Sequence, residues 1–152
     1  DAEGRLIMAD ALAFASESKP DIICDVATLT GAAYVALGVE IGAVFSNNKV
    51  TLDSFLNSNN DGFENYHSLP LEQSYKSQIK SNIADMKNSG GRFGGAITAA
   101  LLLEEFVDDL NWIHLDIAGP ARSRSSNSIY PEGGTGFGVL GYFNFLANEA
   151  NG

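Results

Sequence analysis

Residues 4–18 are apolar at almost every position. Leu6, Ile7, Met8, Ala9, Ala11, Leu12, Ala13, Phe14 and Ala15 are interrupted only by Asp10. That density predicts a helix apolar nearly all round, and such a helix is expected to be buried on most sides. Pro20 closes it, because the residue before a proline avoids helical dihedrals. Ile22-Ile23-Cys24 and Val26 then give 21–27 the continuous apolar run of a strand covered on both faces. A small-residue helix follows at 32–37, a strand at 42–46 and a helix at 49–57. Residues 57–61 read as polar turn, 63–70 as loop and 71–80 as a short amphipathic helix. A glycine-rich loop at 88–95 leads into a strongly apolar helix at 96–107. At 112–117 the alternation has period two, with Trp112, His114 and Asp116 on one face and Ile113, Leu115 and Ile117 on the other. A long loop at 118–135 precedes a terminal helix at 136–148. Helices alternating with strands predict an α/β fold, a mixed and largely buried sheet with helices on both faces. No repeat, heptad or linker divides the 152 residues, so one domain is expected.

Composition narrows the function. Nine basic residues against 19 acidic ones give a net charge of −10. That balance disfavours a nucleic-acid surface or an anionic membrane surface. No apolar run reaches the ~18 residues of a membrane span. The acidic start is unlike a secretory leader, and a cytoplasmic location is expected. Cys24 is the only cysteine, so no internal disulfide forms. Among Ile22, Ile23 and Val26 it reads as a small core hydrophobe rather than a nucleophile.

Candidate chemistry begins at the first residue. Asp1 and Glu3 are carboxylates two apart, followed by Gly4 and Arg5. Carboxylates suit hard or borderline divalent ions, but spacing alone favours an acidic first turn complementing a helix dipole. Arg5 reads either as a surface ion-pair partner or as an anion site shared with free N–H groups at a helix start. Thr28-Leu29-Thr30-Gly31 puts hydroxyls and a glycine at a strand end. It serves equally as a grip on an extended peptide or as a threonine cap followed by close helix packing at Gly31. Gly90-Gly91-Arg92-Phe93-Gly94-Gly95 lacks the Gly-Lys-Ser/Thr ending of a phosphate loop, so a turn allowing close approach is preferred. His67 and His114 have no ligand spacing, and His114 is read as a satisfied, partly buried histidine. Asp25, Asp85 and Asp116 are read as structural hydrogen-bond acceptors.

Taken together these segments resemble one family. Asp1-Ala2-Glu3-Gly4-Arg5-Leu6 is similar to the signature of the cytosolic leucyl aminopeptidases, two-metal exopeptidases, without the Asn-Thr that opens that signature. Further matches follow in order: Ala27-Thr28-Leu29-Thr30-Gly31-Ala32, Ser81-Asn82-Ile83-Ala84-Asp85, Gly95-Ala96-Ile97-Thr98-Ala99-Ala100, His114-Leu115-Asp116-Ile117-Ala118-Gly119 and Gly134-Thr135-Gly136-Phe137-Gly138-Val139.

The resemblance implies that Asp1 ligates a divalent ion, zinc or manganese, and that Glu3 bridges two such ions. Arg5 would hold a bicarbonate ion acting as general base. Thr28, Leu29 and Gly31 would grip the substrate backbone, and Ala118 and Ala121 would border its side-chain pocket. The substrates would be peptides with a free N-terminus, and the parent enzyme a homohexamer. The family's remaining metal donors and a catalytic lysine lie upstream of its signature and are absent here. The chain is therefore expected to be the C-terminal portion of a catalytic domain, partnered by the upstream part of the same protein and inactive by itself. The alternative is a non-catalytic remnant that keeps only packing and assembly surfaces.

Overall fold

In the computed structural model the described residues are 2–60, 62–126 and 129–151; Asp1, Asp61, Asn127, Ser128, Gly152 and the side chain of Asn151 lie outside them. Five helices and a four-stranded mixed sheet form the body. The helices are α1 (Glu3–Glu17), α2 (Gly31–Leu37), α3 (Lys49–Ser58), α4 (Gly95–Glu104) and α5 (Val139–Asn151). The sheet holds β1 (Ile22–Ala27), β2 (Ile41–Ser46), β3 (Asn65–Ser68) and β4 (Asn111–Asp116) in the order β1-β4-β2-β3. β1 runs parallel to β4, β4 antiparallel to β2, and β2 parallel to β3. A two-stranded ribbon, β5 (Arg122–Ser123) with β6 (Gly133–Gly134), lies within 118–135.

The period-two pattern of β4 is realised. Trp112 faces a core with Leu12, Phe45, Leu101 and Val107, while Ile113 and Leu115 face a second core with Val44, Phe55 and Phe145. Both faces are covered, so the sheet is buried as the α/β pattern requires.

Several expectations fail for physical reasons. α1 buries only Ala9, Leu12 and Ser16 and leaves Leu6, Ile7 and Phe14 more than half exposed. Its apolar circumference has a partner on one side only, α4 and β1. Residues 65–68 form a strand rather than a loop. Asn-Tyr-His-Ser carries no apolar run, because an edge strand needs only Tyr66 turned inward. The 71–80 segment coils as a 3₁₀ turn, Gln73–Ile79, rather than an amphipathic α-helix. His114 is not partly buried but 1% exposed, stacked between Phe45 and Trp112. Its Nδ1 donates to Asp25 Oδ1 at 2.5 Å, and Nε2 has no partner among the described residues. Asp25 also accepts from Trp112 Nε1 at 2.6 Å, so it is the structural acceptor the pattern suggested. Asp85 is exposed.

Cys24 is half-buried, and burial, then the Asp25 and Glu149 carboxylates, push its thiol up to about 11. A thiol that stays protonated at neutral pH fits the core reading. No described helix is long and apolar enough to cross a membrane.

Candidate functional site

The site gathers where β1 and β4 end. α1 starts directly at Glu3 without a side-chain cap, and Glu3 supplies the acidic group of its first turn. Asn88, in the glycine-rich loop, ties this start down from 86 residues away: its Nδ2 donates to Ala2 O at 3.0 Å. Arg5 Nη1 in turn donates to Asn88 O at 3.1 Å. Arg5 is half-buried. Burial lowers its pKa, and the Asp116 carboxylate opposes that change; a guanidinium nevertheless stays charged at neutral pH. Arg5 Nε is buried with no partner among the described residues.

The threonine turn lies beside this helix start. A methyl group placed on Gly4 would sit 3.9 Å from Leu29 Cδ1, ordinary van der Waals contact. Thr30 caps α2, accepting from Ala33 N at 3.0 Å, and its hydroxyl donates to Asp116 Oδ2 at 2.6 Å. The cap reading therefore holds for Thr30. The packing reading of Gly31 does not: apart from its chain neighbours and its own helix backbone, no described atom lies within 4 Å of where its Cβ would be, and both Thr28 and Gly31 are exposed.

Asp116 joins the third segment. Its Oδ1 accepts from Leu29 N at 3.1 Å and from Ala118 N at 3.2 Å. Ala121 follows in a tight turn, its N–H donating to Ile117 O at 3.0 Å. Gly119 is obligatory in this turn, because a Cβ there would lie 2.0 Å from Gly38 O at the end of α2. The ribbon steadies the turn from outside: Thr135 Oγ1 donates to Pro120 O at 2.7 Å. Next to it opens a cavity of about 520 Å³, whose wall includes Ala118, Tyr34, Arg122 and Arg124. Thr28, Leu29, Gly31 and Ala121 are not on that wall.

Of the residues expected from sequence, Arg5 thus lies against Asn88, and Leu29 and Ala118 meet at Asp116; Glu3 is in the same first turn as Arg5, and Thr28, Gly31 and Ala121 are in the adjoining turns. Asp1 lies outside the described residues. His67 is exposed on the edge strand β3. The glycine-rich loop does permit close approach: Gly94, at φ 67°, passes where a Cβ would come within 2.8 Å of Tyr75. Asn88 was missed because a loop asparagine carries no periodic signal. Asp116 was legible only as an acceptor, since the identity of its donors depends on strand pairing.

Among the described residues, then, an α/β sheet ends its adjacent strands β1 and β4 beside a helix start that carries Glu3 and Arg5. Residues 1–141 match the model of the cytosol aminopeptidase family, catalytic domain, and the chain belongs to that family. Similar relatives include the probable cytosol aminopeptidase of Synechococcus sp. (strain CC9902), 50% identical over 151 residues, which are 99% of this chain and 31% of that protein. That of Syntrophotalea carbinolica is 49% identical over 149 residues, 98% of this chain and 30% of that one. Among solved structures, a tomato leucine aminopeptidase mutant superposes with TM-score 0.89 at 41% identity, over 96% of this chain and 28% of that one. The bottromycin maturation enzyme BotP gives TM-score 0.94 at 38% identity, over 100% and 34%. The chain spans about a third of the length of these relatives.

Proposed function

We propose that this chain is the C-terminal portion of the catalytic domain of a cytoplasmic, metal-dependent aminopeptidase that releases N-terminal residues from peptides. The observation that supports the reading is the approach of the α1 start at Gly4 to Leu29, which the Asp116 carboxylate joins to Ala118 at one end of the sheet.

The implied groups fit in part. Glu3 is a carboxylate of the kind that ligates divalent ions, but the described residues contain no cluster of three His, Cys, Asp or Glu side chains. Glu3, together with Asp1, is thus read as one share of a dinuclear zinc or manganese centre whose other ligands come from further sequence of the same protein. The buried, unpartnered Arg5 Nε is a charged donor lacking an acceptor, which suits a small anion such as bicarbonate.

When bound, the two ions supply Lewis-acid activation of the scissile carbonyl and of water. The chain's own residues do the rest. Arg5, braced by Asn88, would hold a small anion at a set place, and that anion would supply a base for proton transfer. The main chain of Leu29 and Gly31, with Thr28, grips the extended substrate. The small side chains of Ala118 and Ala121 leave room for the substrate's first side chain. Leu6, Ile7 and Phe14 stand exposed on α1, an apolar surface that supports association with the rest of the polypeptide; a homohexamer of the whole protein rests on the family resemblance.

Assay of the full-length polypeptide on an aminoacyl amide with Zn²⁺ or Mn²⁺ tests this. Turnover is expected, with Glu3→Gln and Arg5→Ala each lowering kcat by about 10²-fold or more. The 152-residue chain assayed alone is expected to be inactive. Full-length activity unaffected by both substitutions would remove the proposal.

A further inference from the structure

Beyond the last rungs of the β1–β4 ladder the two strands separate. Ala27 pairs with Asp116, and Ile117 N donates to Ala27 O at 2.9 Å. The next segments, Leu29 and Ala118, are the ones read above as backbone grip and pocket wall. They are joined through the Asp116 carboxylate, 1% exposed: Oδ1 takes the N–H of Leu29 and that of Ala118, and Oδ2 takes the Thr30 hydroxyl.

We propose that Asp116 is a positioning residue for substrate: its carboxylate continues the ladder where the backbone cannot and sets the separation of the two substrate-binding segments. The inference rests on the functional reading of those segments. Because a single oxygen accepts both N–H groups, neither segment shifts relative to the other without lengthening one of the two bonds to that oxygen. Burial removes water as a substitute acceptor, so loss of the carboxylate leaves these donors without a partner. The hydroxyl of Thr30 adds a second tie and also caps α2, which couples the position of that helix to the same carboxylate. An isosteric amide can preserve much of this. Its oxygen replaces Oδ1, and its NH₂ donates to Thr30 Oγ1 in place of the reversed bond.

The test uses the full-length polypeptide and an aminoacyl amide. Asp116→Ala is expected to raise KM about tenfold or more while kcat falls less than about threefold, the pattern of lost substrate binding. Asp116→Asn is expected to recover KM to within about threefold of the unsubstituted enzyme. An unchanged KM in Asp116→Ala, or equal KM damage in both variants, overturns the proposal. Amide hydrogen exchange on the unsubstituted protein decides independently of folding of any variant and of turnover. The Leu29 and Ala118 amides are expected to be protected to a similar degree, well above exposed loop amides such as those of Asn82 and Arg92. Exchange at the rate of those loop amides overturns the proposal. Absence of turnover in the unsubstituted enzyme refutes the functional reading instead, and the exchange result still judges the role of Asp116.

Discussion

Removing the Glu64 side chain should unmoor α5. Glu64 is 6% exposed, and its carboxylate stands at the start of that helix. Oε1 accepts from Gly138 N at 2.9 Å and Oε2 from Gly141 N at 2.7 Å, two of the donors a helix start leaves unpaired. The charge also complements the positive end of the helix. Oε2 further accepts from Tyr66 Oη at 2.6 Å. The cap thus comes from a residue 74 to 77 positions away in place of a local side chain. Each buried donor stranded by truncation costs about 1–3 kcal/mol. The two backbone donors are fixed, whereas the Tyr66 hydroxyl can rotate, so Glu64→Ala is expected to cost about 3–5 kcal/mol. Glu64→Gln keeps one acceptor oxygen and should cost about 1–3 kcal/mol, and Tyr66→Phe, which spares both helix donors, about 1 kcal/mol. Urea denaturation followed through Trp112, the single and fully buried tryptophan of this chain, measures all three. A loss under about 1 kcal/mol for Glu64→Ala, or a Tyr66→Phe loss equal to it, would refute the capping argument.

Two further outcomes follow from the geometry. Gly119→Ala would force a Cβ to 2.0 Å from the Gly38 carbonyl oxygen; backbone must move, and a stability loss of about 2–3 kcal/mol is expected in the same denaturation experiment, with no measurable change contradicting the close approach. Cys24 holds its proton up to about 11 when folded, against 9.0 as its ordinary value. Between those limits the unfolded chain has released the proton and the folded one has not, so the thiol's contribution to stability falls as pH rises from about 9 to about 11. Cys24→Ala should flatten that part of the stability–pH curve, and an identical slope in both proteins would exclude the thiol as its source.

The sequence pattern anticipated the elements whose apolar residues are periodic or continuous. α1, β1, α2, β2, α3, α4, β4 and α5 all occur within a few residues of the expected bounds. It failed where a segment's structure depends on a distant partner. β3 exists because Tyr66 packs edge-on against Phe55 and β2 supplies backbone pairing, neither of which its own four residues announce. Glu64 fell within an expected loop and His114 read as only partly buried, because local pattern does not disclose partners such as Gly141 and Asp25. The candidate site divides the same way. Glu3, Arg5, Leu29 and Ala118 were marked by motif, whereas Asn88 and the three-donor role of Asp116 arise from hydrogen bonds spanning 83 to 87 residues or linking strand ends. The exposure of α1 shows the limit of helix amphipathicity: composition sets how much surface wants cover, not how much of it this chain covers.

A crystal structure of the full-length polypeptide, with Mn²⁺ and a non-hydrolysable peptide analogue bearing a free α-amine, would decide whether the head of α1 and the threonine turn are a single site. Metal density on the Glu3 carboxylate is expected, with the analogue's backbone along Leu29 and Gly31 and its first side chain against Ala118. Ordered metal and analogue bound away from Glu3 and from the Thr28–Gly31 turn would contradict the account.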